Sequence, residues 1–386
     1  MTTILSKHCS TVYKFISLTD NVLPLLTCST IKKLSLNFVF RYDDGLSYFP
    51  ESDKWLEFIM NKKVEDLRLN MQYTADLTEN DQPYSLLEVQ CSSSSILKLN
   101  CENCRILEDC VLNWTSLKSL TQEYLFLQDE HIKQIMSNCP QLECLMLHEF
   151  CGFNHFHMTF PKYSRLELIH HDHPRGDWYS FEGDIYFFEI VAPYVEHLTI
   201  FGVFNYMKIK LRDFSSLNHA NLDLYCDENI VKDLLVSSCC ANELILSSWL
   251  IKVIFNLMLE EDDISLPLLE CRWLTICSYI SKLLFPLLDN LLRLAPKLEN
   301  FMIFPDMTYE DKDIDLLEDK KYLSFEENIF KVSLQNLKNA KLMPLCSGTL
   351  TSDATKFDQF SKFLLEHAIN PEKMVIVPVV LLIPQI

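Results

Sequence analysis

An α/β fold of stacked strand–turn–helix coils is predicted by three features of this sequence. A nine-residue sentence occurs three times, as Cys139-Pro-Gln-Leu-Glu-Cys-Leu-Met-Leu147, Ala192-Pro-Tyr-Val-Glu-His-Leu-Thr-Ile200 and Ala295-Pro-Lys-Leu-Glu-Asn-Phe-Met-Ile303. Each copy reads small-Pro-x-apolar-Glu-x-apolar-x-apolar. The terminal apolar-x-apolar pair also recurs elsewhere, at intervals of roughly 20 to roughly 40 residues. Between several of these pairs lie segments with the 3.6-residue apolar period of a helix.

Each element follows from its residues. Proline ends the preceding segment, because it has no N–H and its ring clashes inside a helix. The alternation after it gives a strand one buried face. In chain order, strands are expected at Leu34-Ser-Leu36, Leu67-Arg-Leu69, Leu97-Lys-Leu99, Leu120, Leu145-Met-Leu147 and Leu166-Glu-Leu168. They continue at Leu198-Thr-Ile200, Leu222-Asp-Leu224, Leu244-Ile-Leu246, Leu274-Thr-Ile276, Phe301-Met-Ile303 and, more weakly, Ala340-Lys-Leu342. Asp129 is placed to cap a helix over Glu130–Met136, with Ile132, Ile135 and Met136 on one face and Pro140 beyond its end. Leu287–Leu294 precedes Pro296 in the same way. A last strand and an apolar tail are read in Met374-Val-Ile-Val-Pro-Val-Val-Leu-Leu-Ile-Pro384. Strand, turn, helix and turn in succession form a leucine-rich-repeat coil. Stacked coils make a curved solenoid with parallel strands on its concave side.

Composition bounds the function. A chain of 386 residues with 48% hydrophobic content can bury a large core. Six glycines are too few for a propeller or a dinucleotide fold. A formal charge of −19, with no basic run, argues against a nucleic-acid partner, because phosphate binding relies on clustered Lys and Arg. The acidic runs Glu260-Glu-Asp-Asp263 and Glu310–Lys321 read as solvated insertions. Fifteen cysteines would suit a disulfide framework, but Met1-Thr-Thr-Ile-Leu-Ser-Lys7 lacks the apolar core of a secretory signal. A reducing cytoplasmic or nuclear setting is expected, with most cysteines acting as small apolar residues. No apolar run reaches the ~20 residues of a membrane span, so no membrane partner is expected.

Signatures of chemistry are sparse. The sequence has no G-x-S-x-G elbow, no phosphate loop and no G-x-G-x-x-G, so no catalytic or cofactor-binding residue is assigned. Cys101-Glu-Asn-Cys104, with Cys91 and Cys110 nearby, has the spacing of half a zinc site, but it directly follows Leu97–Leu99, where such repeats use Cys or Asn to close a turn. His155, His157, His170, His171 and His173 are competent metal ligands and define an enzyme alternative, a metal-dependent activity. The stretch His170-His-Asp-His-Pro-Arg-Gly-Asp177 is nevertheless polar and turn-rich, as a surface loop is, and no metal or other cofactor is assigned.

Function in a stacked-coil fold belongs to the strand positions between the buried leucines. Alternation places Met146, His148, Glu167, Ile169, His197, Thr199, Phe201, Asp223 and Tyr225 on the concave face. Cys144 and Asn221 share that parity. Several of these side chains are large and apolar, as in a protein-binding patch. Inserted loops covering Met146, Ile169 and Phe201 are the alternative.

Together these segments carry a family resemblance. Trp55-Leu-Glu-Phe-Ile-Met-Asn-Lys-Lys-Val-Glu-Asp-Leu-Arg-Leu69 is similar to the W-x-x-x-A-x-x-[KR]-x-[VL]-x-x-L-x-L block of plant F-box/leucine-rich-repeat proteins. Asn113-Trp-Thr-Ser-Leu-Lys-Ser-Leu120, Ser137-Asn-Cys-Pro-Gln-Leu-Glu143, Ile190-Val-Ala-Pro-Tyr-Val-Glu-His-Leu198 and Asp213-Phe-Ser-Ser-Leu-Asn-His-Ala-Asn-Leu222 follow in the family's order. Phe360-Ser-Lys-Phe-Leu-Leu-Glu-His-Ala368 and Pro371-Glu-Lys-Met-Val-Ile-Val377 resemble the C-terminal module of its FBD subgroup. The expected layout is a linker-like segment at 1–30, the leucine-rich-repeat solenoid at 31–344 and an FBD-like module at 345–386.

The resemblance implies a substrate receptor of an SCF-type ubiquitin ligase, which is not itself an enzyme. In such receptors the repeats hold a protein target and an N-terminal F-box docks on the Skp adaptor and its cullin. Only about 30 residues precede Ile31-Lys-Lys-Leu-Ser-Leu36, fewer than the helices of an F-box require. Leu18-Thr-Asp-Asn-Val-Leu-Pro-Leu-Leu26 resembles the linker that follows one. The expectation is a protein-binding repeat module without its F-box, reaching Skp and cullin only if an F-box is supplied. Its alternative is a free-standing scaffold or decoy.

Overall fold

A computed structural model describes residues 2–6, 20–25, 27–40, 54, 57–58, 61–73, 84–86, 95–102, 104–106, 111–127, 129–151, 155–157, 164–170, 186–204, 207–260, 266–277, 284–304, 334–342, 361–362, 364–366, 368 and 371–376. The chain forms two compact units. The first holds Met1–Val195 and Tyr206–Arg212, and the second Glu196–Asn205 and Asp213–Ile386.

In the first unit the principal strands are β1 (Thr2–Ser6), β2 (Lys33–Phe40), β3 (Asp66–Tyr73), β5 (Lys98–Glu102), β7 (Ser119–Phe126), β8 (Cys144–Cys151) and β10 (Arg165–His170). They pair in that order, every pair parallel. β1 lies inside the segment read from sequence as a linker. Strands β4 (Tyr84–Leu86) and β6 (Cys104–Ile106) form a parallel pair. Strands β9 (His155–His157), β11 (Tyr186–Val191) and β13 (Met207–Arg212) form a small parallel sheet with β11 central. In the second unit, β12 (His197–Val203), β14 (His219–Tyr225), β15 (Glu243–Ser247), β16 (Trp273–Cys277), β17 (Asn300–Phe304), β18 (Asn339–Leu342) and β19 (Lys373–Ile376) pair successively, again all parallel.

Register explains the leucines. Leu34, Leu67, Leu99, Leu120, Leu145 and Leu166 stand opposite one another across the first unit, each at most 4% exposed. A second buried ladder runs Leu36, Leu69, Cys101, Gln122, Leu147 and Leu168. This corrects the frame expected at one coil. The buried pair is Leu99 and Cys101 instead of Leu97 and Leu99, and Leu97 precedes the strand. Cys101 and Cys104 lie in strands, not in a closing turn, and Cys101 is a buried apolar ladder member. In the second unit Ala220 and Leu222 are the residues opposite Leu198 and Ile200, so Leu224 belongs one step further on.

Four helices complete the described coils: α1 (Asp129–Asn138), α2 (Glu228–Ser238), α3 (Ser248–Glu260) and α4 (Leu284–Leu294). The first extends slightly past the expected Met136, and the last begins before the expected Leu287. Ile132, Ile135 and Met136 of α1 are buried, as their spacing requires. The Asp227 carboxylate caps α2 by accepting the Asn229 N–H at 2.9 Å. Buried Ser247 does the same for α3, its Oγ accepting the Leu250 N–H at 3.3 Å.

The nine-residue sentence is a turn and a staple. The Leu142, Val195 and Leu298 N–H groups donate to Cys139, Ala192 and Ala295, which places Pro140, Pro193 and Pro296 at the second position of a β-turn, where their fixed φ suits. The apolar fourth residue is buried in each copy. Next, the residue just before each strand accepts two N–H groups from the following coil: Lys118 O from Glu143 and Cys144, and Glu299 O from Lys338 and Asn339. In two of the three copies the glutamate side chain reaches a neighbouring coil's cation, Lys118 Nζ to Glu143 at 3.3 Å and Lys338 Nζ to Glu299 at 2.8 Å. On the other side of Glu299, Arg272 lies at 3.4 Å.

Candidate partner-binding face

Strand residues of the opposite parity to the buried ladders form the candidate face, and each unit carries its own portion. In the first unit the middle row is Ser35, Arg68, Asn100, Thr121, Met146 and Glu167. The next row is Asn37, Asn70, Glu102, Glu123, His148 and Ile169. Met146, His148, Glu167 and Ile169 are all half-buried. The Thr121 hydroxyl donates to the Met146 sulfur at 3.6 Å.

This portion is polar and charged. His148 Nε2 lies 3.3 Å from Glu167 Oε1, and Arg165 lies 3.6 Å from the other carboxylate oxygen. Contact with the His148 imidazole, against the effect of burial, holds the Glu167 carboxyl below the usual range. Glu102 goes the other way. Burial raises its carboxyl, Glu123 on the adjacent strand adds to the rise, and Arg68 and His148 offset part of it. The Asn70 side-chain amide donates to Glu102.

In the second unit the first row is His197, His219, Glu243, Trp273, Asn300 and Asn339, and the middle row is Thr199, Asn221, Ile245, Thr275, Met302 and Lys341. Phe201, Asp223, Cys277 and Phe304 follow them along their strands. His219 Nδ1 lies 2.9 Å from Glu243, and the His197 and His219 rings are 5.6 Å apart. His197 is exposed, and Thr199, Phe201 and Tyr225 are half-buried. Asp223 is buried despite its outward parity. The Tyr225 ring lies 5.5 Å from that of Trp249. The same outward face continues past Tyr225 to Ile245, Trp273, Met302 and Phe304, on coils that the sequence also predicts. Trp273 is 44% exposed, and the Lys341 ammonium sits 5.4 Å over the Phe304 ring.

Of the histidines considered as metal ligands, His155 and His157 lie in β9 and His170 ends β10. His171 and His173 lie outside the described residues, as do residues 261–263, the run Glu310–Lys321, and Val377 with the tail beyond it. His170 Nδ1 is 3.3 Å from buried Glu149. Among the described residues no group of three or more His, Cys, Asp or Glu is placed to hold a metal ion. Nor is any helix among them long and apolar enough to cross a membrane. Burial pushes the thiols of Cys139, Cys226 and Cys271 up to about 12, which fits small apolar residues better than ligands.

Parallel strands in register, several of them led into by the same turn and stacked in two buried, mostly apolar ladders, define a leucine-rich-repeat protein of α/β type. Residues 52–205 match the family model described as "FBD-associated F-box protein At5g56370, LRR repeats". The chain is 27% identical over 209 residues to the Arabidopsis thaliana F-box/LRR-repeat protein At5g02930, covering 54% of this chain and 40% of that protein. It is 29% identical over 177 residues to the F-box protein At5g03100 of the same plant, covering 45% of this chain and 50% of that one. With the F-box/LRR-repeat protein At3g03360, also from Arabidopsis thaliana, identity is 24% over 272 residues, 66% of this chain and 52% of that protein. The resemblance to plant F-box/leucine-rich-repeat proteins read from the motifs is therefore borne out. The matched region spans only 40–43% of the length of several such relatives.

Proposed function

We propose that this chain is a protein-binding module equivalent to the substrate-recognition part of an SCF-type F-box receptor. Within each unit the coils stack as in a leucine-rich-repeat solenoid, and a protein target lies against the concave strand face. The observation that carries this reading is the second unit's outward strand face, where half-exposed Trp273 lies one row from half-buried Ile245 and Met302, with Phe304 one row beyond Met302. A tryptophan left half-exposed on a strand face is the kind of group that anchors protein interfaces. No catalytic step is assigned to the chain. Residues 345–386 act as an FBD-like cap, and Skp and cullin are reached through an F-box that accompanies these repeats. The cytoplasm or nucleus is the proposed site of action.

The test is a tagged pull-down of the full chain from plant cells, compared with Trp273→Ala. A bound target should fall about tenfold or more in the variant, the cost of losing an interface anchor of about 1.4 kcal/mol or more. Skp adaptor and cullin in the eluate support the receptor reading. A target recovered without them supports the scaffold alternative. Equal recovery of every partner by Trp273→Ala overturns the assignment of this face.

A further inference from the structure

We propose that Cys239 and Cys240 form a reversible oxidation site, a vicinal dithiol that peroxide closes into a disulfide. The two thiols end helix α2, and their sulfurs lie 3.8 Å apart. They occupy the turn used by the nine-residue sentence, because the Ala241 N–H donates to Ser238 at 3.0 Å as Leu142 donates to Cys139. Cys239 therefore stands where the repeated sentence has proline, and Cys240 follows it at the turn's third position. The Cys239 φ of −60° and ψ of −27° suit the second position of such a turn.

The two cysteines are not equivalent. Cys240 is exposed and Cys239 half-buried. Cys239 Sγ donates to the Val236 carbonyl at 3.1 Å, and burial, followed by the Cys240 thiol, raises its own thiol. Peroxide therefore meets Cys240 first. The Cys240 thiolate attacks one peroxide oxygen, the O–O bond breaks, hydroxide leaves and a sulfenic acid forms. The Cys239 sulfur then displaces the sulfenic hydroxyl as water and the S–S bond forms. In total two thiols and one hydrogen peroxide give one disulfide and two waters. Adjacent residues hold their Cα atoms about 3.8 Å apart, closer than the usual 4.4–6.8 Å of a disulfide, so thiols reopen the ring readily.

Closure has a route into the neighbouring coil of the same unit. The Cys239 carbonyl accepts the Glu270 N–H at 2.8 Å, and the Asn242 carbonyl accepts those of Arg272 and Trp273. Twisting the Cys239–Cys240 peptide loads these three bonds, which hold the start of β16.

The experiment uses the full reduced chain, treated with hydrogen peroxide, blocked with N-ethylmaleimide and digested after glutamate. The peptide Asn229–Glu243 contains only these two cysteines. It should appear lighter by two hydrogens and unalkylated, at peroxide levels that leave Cys139 alkylated, and dithiothreitol should restore both alkylation sites. In Cys240→Ser, Cys239 should remain alkylated. Two alkylated thiols after peroxide, disulfides to other cysteines, or equal oxidation of Cys239 in Cys240→Ser would each overturn the proposal.

Discussion

Gln122 occupies a leucine's place and should be replaceable by leucine with a gain in stability. It lies in the second buried ladder between Cys101 and Leu147, is 1% exposed, and has no hydrogen-bond partner for its amide nitrogen or oxygen among the described residues. An unpaired amide held away from water costs about 1–3 kcal/mol in folded proteins. Gln122→Leu removes that cost at similar volume and continues a ladder that is leucine in four of its six places. The expected gain is about 1–3 kcal/mol, a rise of roughly 2–4 °C in melting temperature per kcal/mol for a unit of this size. Urea unfolding followed by tryptophan fluorescence reads it, since Trp114 is fully buried in the same unit. Gln122→Ala serves as the control, because it removes the amide and leaves a cavity, so it should fall below Gln122→Leu. A leucine variant no more stable than the parent, with the same unfolding slope, would show that the amide is satisfied and the reasoning wrong.

Pro140→Ala should destabilise the first unit by about 0.4–1 kcal/mol through the freer unfolded chain, with the turn retained, as read by urea midpoints. Glu167 and Glu102 should differ in sign. The lowered Glu167 carboxyl contributes stability that is present above the ordinary carboxylate range and lost as pH falls through its folded pKa, so Glu167→Gln should lower the midpoint at neutral pH and flatten its acid dependence. The raised Glu102 carboxyl costs stability once ionised, so Glu102→Gln should raise the neutral midpoint. In the Arg272–Glu299–Lys338 column, Lys338 is raised by Glu299 and its contribution is lost only as pH climbs through its folded pKa. Glu299, lowered by Lys338, loses its own contribution in acid. Added salt should shrink both effects, which pH titration of the midpoint at two ionic strengths would check.

Most of the fold could be read from the sequence because the repeat writes its geometry at fixed offsets. Proline sets the turn, the fourth residue is buried, glutamate joins two coils, and two apolar residues two apart fill the ladders. Reading failed where the chemistry of a ladder position was not apolar by name. At 99–101 the second place is Cys101, so the apolar pattern pairs Leu99 with Leu97. At 120–122 the second place is Gln122, so the pattern shows Leu120 alone. At 220–224 three alternating apolar residues offered two frames, and only the parallel register with β12 selects between them. Side-chain exposure was less legible than parity. Asp223 faces outward by alternation and is nonetheless buried, because parity fixes a direction and neighbouring residues decide what covers it.

The same division separates structure from function. The three copies of the sentence differ at the positions that neither turn, bury nor staple. The middle residue of each apolar pair is Met146 in one copy, Thr199 in another and Met302 in the third. These are the places the fold leaves free, since their side chains point away from both buried ladders. A substitution there that keeps β propensity should leave stability within about 0.5 kcal/mol. Loss of a partner after such a change would therefore report on recognition, whereas loss after a change at Leu145 or Pro140 would report on folding. The cysteine pair departs from this rule, because at the coil joining α2 to β15 the turn position itself differs, with Cys239 in place of proline. The chain gives up proline's rigidity there, and a second thiol next to the first is the chemical difference that any special role of this turn would have to use.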